Sequence, residues 1–107
     1  MFRAFSDRTR LRILHLLKDS GEVCVGDLVA VLRAPQTTVS RHLAYLRRAG
    51  LVRVRKHGLW KHYSLAPAAG RFHNGLLRCL GDCFGEVREL AGDRRRYARM
   101  KQRRCPD

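Results

Sequence analysis

The large apolar residues of the N-terminal half recur at helical intervals. Ile13, Leu14, Leu16 and Leu17 share one face of a segment from Asp7 to Lys18, with Ser6 placed to cap a helix and Gly21 to end it. After a brief extended stretch, Glu22-Val23-Cys24, the residues Leu28, Val31 and Leu32 show the i, i+3, i+4 spacing of a second, shorter helix over Val25 to Leu32. Ala34-Pro35 interrupts it, because the residue before a proline is pushed out of the α region, while proline itself suits the start of a new helix. In that third helix, running to Ala49, Val39, Leu43 and Leu46 stand at i, i+4 and i+7 and line the inner face. Gln36, Thr37, Ser40, Arg41 and Tyr45 are left on or near the outer one. Gly50 follows where a left-handed C-cap is wanted.

Beyond Gly50 the pattern turns β-prone. Leu51 to Leu65 contains two such segments flanking a Gly-containing turn, which predicts a hairpin with Arg55, Lys56, His57 and Lys61 at or near its tip. From Arg71 to about Ala91 the spacing predicts a long amphipathic helix, with Leu76, Leu77, Leu80, Phe84, Val87, Leu90 and Ala91 in one stripe and Cys79 and Cys83 along its edge. Arg94 to Arg104 holds seven positive charges in eleven residues with little apolar periodicity and reads as a frayed helix end or disordered tail. The expected class is therefore mainly α with a small β-hairpin. A folded domain is expected over 1–92 and a basic, flexible tail over 93–107.

Composition narrows the partners. Twenty-three Lys and Arg against nine Asp and Glu give the 107-residue chain a formal charge of +14, which repels itself unless a polyanion or counterions screen it. Nucleic acid leads, ahead of an anionic membrane surface. No apolar run approaches the roughly 18 residues that span a bilayer, and no apolar signal block opens the chain, so a cytoplasmic protein without a membrane partner is expected. No nucleophile-elbow, phosphate-loop or metalloprotease spacing occurs, which argues against an enzyme.

A short helix, a tight turn and a helix with a hydrogen-bonding outer face make a helix-turn-helix, whose second helix enters the major groove of double-stranded DNA. Arg41 is suited to fork onto guanine and Gln36 to pair with adenine. Thr37, Thr38 and Ser40 suit bases or phosphates, and His42 and Tyr45 lie at or beside the same face. The hairpin would follow the neighbouring backbone as a wing. A solvated face of a three-helix core explains the third helix equally well in isolation; the wing and the charge decide for DNA.

The segments SDRTRLRILHLL, GEVCVGDL and PQTTVSRHLAYLRRAGLVRVRKHGLWKHYSLAP, covering residues 6 to 67, resemble the ArsR/SmtB family of winged helix-turn-helix repressors. The resemblance implies a homodimer, dimerising through its first and last helices, that leaves an inverted-repeat operator when a thiophilic inducer binds. The apolar stripe after Arg71 independently needs a cover.

In arsenical-sensing relatives the equivalent of Glu22 to Leu28 carries Cys-Val-Cys. Here Cys24 holds the first position and Gly26 the second, so that site is incomplete. Cys79 and Cys83, one helical turn apart, are the candidate recruits alongside Cys24, with Cys105 as a further thiol in the tail. As(III) or Sb(III) would take three thiolates; Zn(II) or Cd(II) would take four ligands, with His15 or His73 as nitrogen donors. The competing readings are cysteines that merely fill core space, a thiol-based redox or persulfide sensor, and a constitutive DNA-binding protein with no inducer. In a reducing compartment all four cysteines are expected as free thiols.

Overall fold

Asp7 begins the first helix: its backbone is extended, and its carboxylate accepts the Arg10 N–H at 3.0 Å, satisfying a donor that the first turn leaves over. The computed structural model describes residues 7–67, 70–82 and 88–100. Ser6, expected as the cap, lies outside them, and the cap falls on Asp7. Helix α1 is Arg8–Ser20, followed by β1 Glu22–Cys24, α2 Val25–Leu32, α3 Gln36–Arg48, β2 Val52–His57, β3 Trp60–Leu65, α4 Arg71–Asp82 and α5 Arg88–Met100.

Helix α1 is central. It touches every other helix as well as β1 and β3, so five consecutive residues, Ile13 to Leu17, are buried where a surface helix would bury a stripe. Around it gather Val23, Leu28, Val31, Val39, Leu43, Leu46 and Leu51, all fully buried. Each such side chain contributes about 1.5–3 kcal/mol relative to leaving it in water.

Helix α3 ends as its sequence prescribes. Gly50 takes φ 78°, its N–H donates to Arg47 O at 3.0 Å, and the Leu51 N–H reaches back to Leu46 O at 3.0 Å. These two bonds form a Schellman motif, and the buried pair Leu46 and Leu51 supplies its usual apolar contact. The chain leaves the helix already aimed into β2.

The expected hairpin is part of a larger sheet. Strands run in the order β1-β3-β2, all antiparallel, with Val23 opposite Tyr63 and Val54 opposite Tyr63 on the other side. That row faces the core. Alternation puts Glu22, Cys24, Arg53, Arg55, His62 and Ser64 on the opposite face.

The C-terminal segment departs from expectation. The described parts of the predicted Arg71–Ala91 helix are α4 and the first turn of α5, and the basic stretch from Arg94 is helical as far as Met100. The expected boundary at 92/93 therefore falls inside α5, which packs on α1 and α2 with Leu90 and Asp93 buried and Tyr97 and Met100 against the core. Arginines of α1, gripping the two acids this helix carries, hold it in place despite its weak apolar periodicity. Arg12 grips Asp93 with two bonds, at 2.9 and 2.8 Å, and Arg8 grips Glu89 likewise, at 2.7 and 2.8 Å. Arg96 Nη1 donates to Val31 O at 2.6 Å. Phe84, Val87 and residues 101–107 lie outside the described residues. No helix among the described residues is long and apolar enough to cross a membrane.

Candidate nucleic-acid interface

Helices α2 and α3 meet through Arg33-Ala34-Pro35. Arg33 occupies the left-handed region at φ 54°, the one non-glycine positive φ among the described residues, and this closes the turn that sets the two helices across one another. Pro35 is the N-cap residue of α3 and makes no side-chain cap bond.

The inner face of α3 is as predicted: Val39, Leu43 and Leu46 are fully buried. Gln36, Thr37, Ser40 and Arg41 are exposed, and Thr38 is half-buried. Two expected contacts sit differently. The Tyr45 ring lies beneath the guanidinium of Arg10, 4.0 Å from its centroid, so α1 covers it by a cation–π contact. His42, half-buried, lies close enough to the Asp7 cap for its charge to act there. Burial tends to raise the Asp7 carboxyl, but the Arg10 N–H and the charges of His42 and Arg10 prevail and hold it below the usual range.

On the wing, Lys56, His57 and Lys61 are exposed. Lys56 and Lys61 are register partners on the same face as Tyr63, whereas Arg55 and His57 share the other face with His62 and Trp60. Arg55, expected to reach DNA, holds Glu22 through two bonds, 2.7 and 2.9 Å, and the Glu22 carboxyl is lowered by those hydrogen bonds.

Between α3 and the wing lies an open cleft of about 610 Å³. Gln36, Ser40, Arg47 and Arg48 form its helix side, and Leu59, Lys61 and Tyr63 its wing side. Arg47, Arg48, Leu59 and Tyr63 were not among the predicted contacts. The arginines follow the predicted helix at the same outward angles as Ser40 and Ala44, so helical periodicity alone could have found them. The convergence of helix and wing required the fold.

The thiols occupy two places. Cys24 is buried where β1 becomes α2, and its Sγ accepts the Asp27 N–H at 3.4 Å as the N-cap of α2. It is disulfide-bonded, which corrects the expectation of four free thiols. Cys79, half-buried on α4, is a free thiol. Cys83 and Cys105 lie outside the described residues. Among the described residues no three His, Cys, Asp or Glu side chains converge closely enough to hold an ion, so these residues alone do not build the expected thiolate set. His15 and His73, proposed as nitrogen donors, are both buried. Burial lowers the His15 pKa, with Asp19 and Asp93 opposing and Arg94 assisting.

A helix-turn-helix with a polar outward α3, flanked by a cationic antiparallel wing, defines the winged helix-turn-helix class of DNA-binding regulators. Residues 7–54 match the bacterial regulatory protein, arsR family. The chain is 49% identical over 67 residues to the arsenical resistance operon repressor of Escherichia coli, an alignment covering 63% of this chain and 57% of the relative. It is 36% identical over 103 residues to the arsenic resistance transcriptional regulator ArsR1 of Pseudomonas putida, covering 96% and 79% respectively. The solved structure of HlyU from Vibrio cholerae superposes with a TM-score of 0.68 at 33% identity, over 79% of this chain and 88% of that one. The chain belongs to the ArsR family of transcriptional regulators.

Proposed function

We propose that the protein is a repressor that binds an inverted-repeat operator as a homodimer and is released through its cysteines, with As(III) or Sb(III) as the inducer class. Two copies of α3 would enter successive major grooves roughly 34 Å apart. The observation that carries the reading is the position of Cys24. Its sulfur caps the first helix of the helix-turn-helix, so a change in what that sulfur bonds acts directly on the element that positions α3. The arsenic-resistance names of the relatives favour a metalloid over Zn(II) or Cd(II).

Dimerisation through α1 and α5 is part of this reading. Within one chain the two helices already pack on each other, so a partner would add its own pair to their outer faces.

A second reading has its own support. Because Cys24 is disulfide-bonded, oxidation and reduction of that bond are an alternative switch for the same helix cap.

The test is release from DNA. Reduced protein bound to an operator-bearing duplex is titrated with arsenite, antimonite, Cd(II) and diamide, with Cys24, Cys79, Cys83 and Cys105 replaced by Ser in turn. The metalloid reading expects arsenite or antimonite to release wild type and Cys24→Ser to resist, since serine keeps the cap and loses the thiolate. Release by diamide alone, reversed by dithiothreitol, selects the redox reading. Release by nothing overturns both.

A further inference from the structure

Leu59 is 100% exposed and Trp60 40% exposed, and among the described residues they are the only large hydrophobic side chains so displayed. A leucine wholly in water contributes nothing to the fold. Both sit at the wing tip. His57 pairs with Trp60, which leaves Gly58 and Leu59 as a two-residue turn, and the positive φ of 62° at Gly58 alone is the type II′ pattern. The tip is therefore narrow and its shape is set by the strands behind it, with Leu59 at its point.

Its surroundings are cationic. Lys56 and Lys61 flank the turn, and Arg47 and Arg48 face it across the cleft. An apolar protein partner would leave those charges without counterparts, whereas a duplex offers phosphates beside a groove with apolar sugar walls. The minor groove, about 6 Å wide and 7.5 Å deep, admits a single-residue point of this kind.

Resting on the reading of α3 in the major groove, we infer that the wing tip is a minor-groove wedge: Leu59 enters the groove flanking the half-site, Trp60 lies against its wall, and one phosphodiester strand runs through the cleft between wing and α3. An apolar wedge partly unstacks a base step and bends the duplex by about 20–90°. Flexible pyrimidine–purine steps yield to this at least cost, so the wing selects sequence outside the half-site without a hydrogen bond to a base.

Trp60 is the single tryptophan of the chain, so its fluorescence reports on the tip alone. The probe is a duplex recovered by this protein from a random-sequence pool and carrying a dye at each end. Binding is scored by anisotropy and bending by energy transfer between the ends. On binding, Trp60 emission is expected to change and its quenching by acrylamide to fall several-fold, with the duplex ends drawing together. Leu59→Ser is expected to weaken binding and abolish the bend while the slope of log affinity against log salt stays the same, because no charge is lost. Lys61→Ala, in contrast, lowers that slope. A bound duplex that leaves Trp60 emission and acrylamide access unchanged, or a Leu59→Ser variant that bends DNA like wild type, overturns the wedge and leaves the tip to a protein partner. If no duplex is bound, the proposed function falls with it.

Discussion

Arg12 and Asp93 lie 81 positions apart and meet in a bidentate pair, with Asp93 only 1% exposed. Arg96 approaches the same carboxylate at 3.5 Å while donating to Val31 O in the last turn of α2. One buried acid thus ties the last helix to the first and, through Arg96, to the helix-turn-helix. The position of α5 and that of the DNA-reading unit are mechanically linked.

Asp93→Ala should be among the most damaging single substitutions outside the apolar core. Removing one partner of a buried pair leaves uncompensated charge and typically costs about 3–5 kcal/mol. Urea denaturation at neutral pH measures it. A loss below about 1 kcal/mol would equate the pair with a surface ion pair and leave α5 held by Leu90, Tyr97 and Met100 with the Arg8–Glu89 and Arg96–Val31 contacts.

Arg41→Ala is expected to cost about 1–3 kcal/mol at one operator position and relax the preference there. Arg47→Ala should weaken binding to all sequences together and reduce the salt slope by about one phosphate contact. Competition against a panel of single-base operator variants at fixed salt separates the two. An unchanged preference in Arg41→Ala would remove base reading from that residue.

Acidification should destabilise the fold through His15. Burial depresses its folded-state pKa below the ordinary value of 6.5, so the unfolded chain binds more protons in that window. The contribution is complete above 6.5 and is lost as pH falls toward the folded pKa. His15→Leu removes this dependence; comparing the two proteins' unfolding midpoints between about pH 7 and 5 checks it. Parallel slopes for wild type and His15→Leu would assign the acid sensitivity elsewhere.

Arg33→Gly should stabilise the protein by up to about 1–2 kcal/mol, since a non-glycine residue at φ 54° carries that steric cost. Gly50→Ala should do the reverse, because φ 78° is strained for any side chain even though the space beside it is open. Thermal melts of both variants provide the comparison.

The helix-turn-helix was legible because its signals are local. Val39, Leu43 and Leu46 at helical spacing, proline at the head of α3 and glycine past its end act within a few residues, and each appears in the fold where the spacing put it. The left-handed Arg33 carried no such mark, since arginine has no preference for that region and the packing of α2 on α3 imposes it. Asp7 took the cap in place of Ser6, a one-residue difference between two good capping side chains.

The sequence by itself determined the order of the first three helices, the inward face of α3, the hairpin and the strong positive charge, all consequences of backbone periodicity and composition. Only the tertiary structure decided that β1 joins the wing sheet and that Glu22 occupies Arg55. It alone showed that Tyr45 is covered by Arg10 and that the basic C-terminal segment is a packed helix. Each of these depends on a partner far away in the chain. An arginine's spacing shows which way it points, but whether it meets a carboxylate, a ring or solvent is settled by which elements the fold brings beside it.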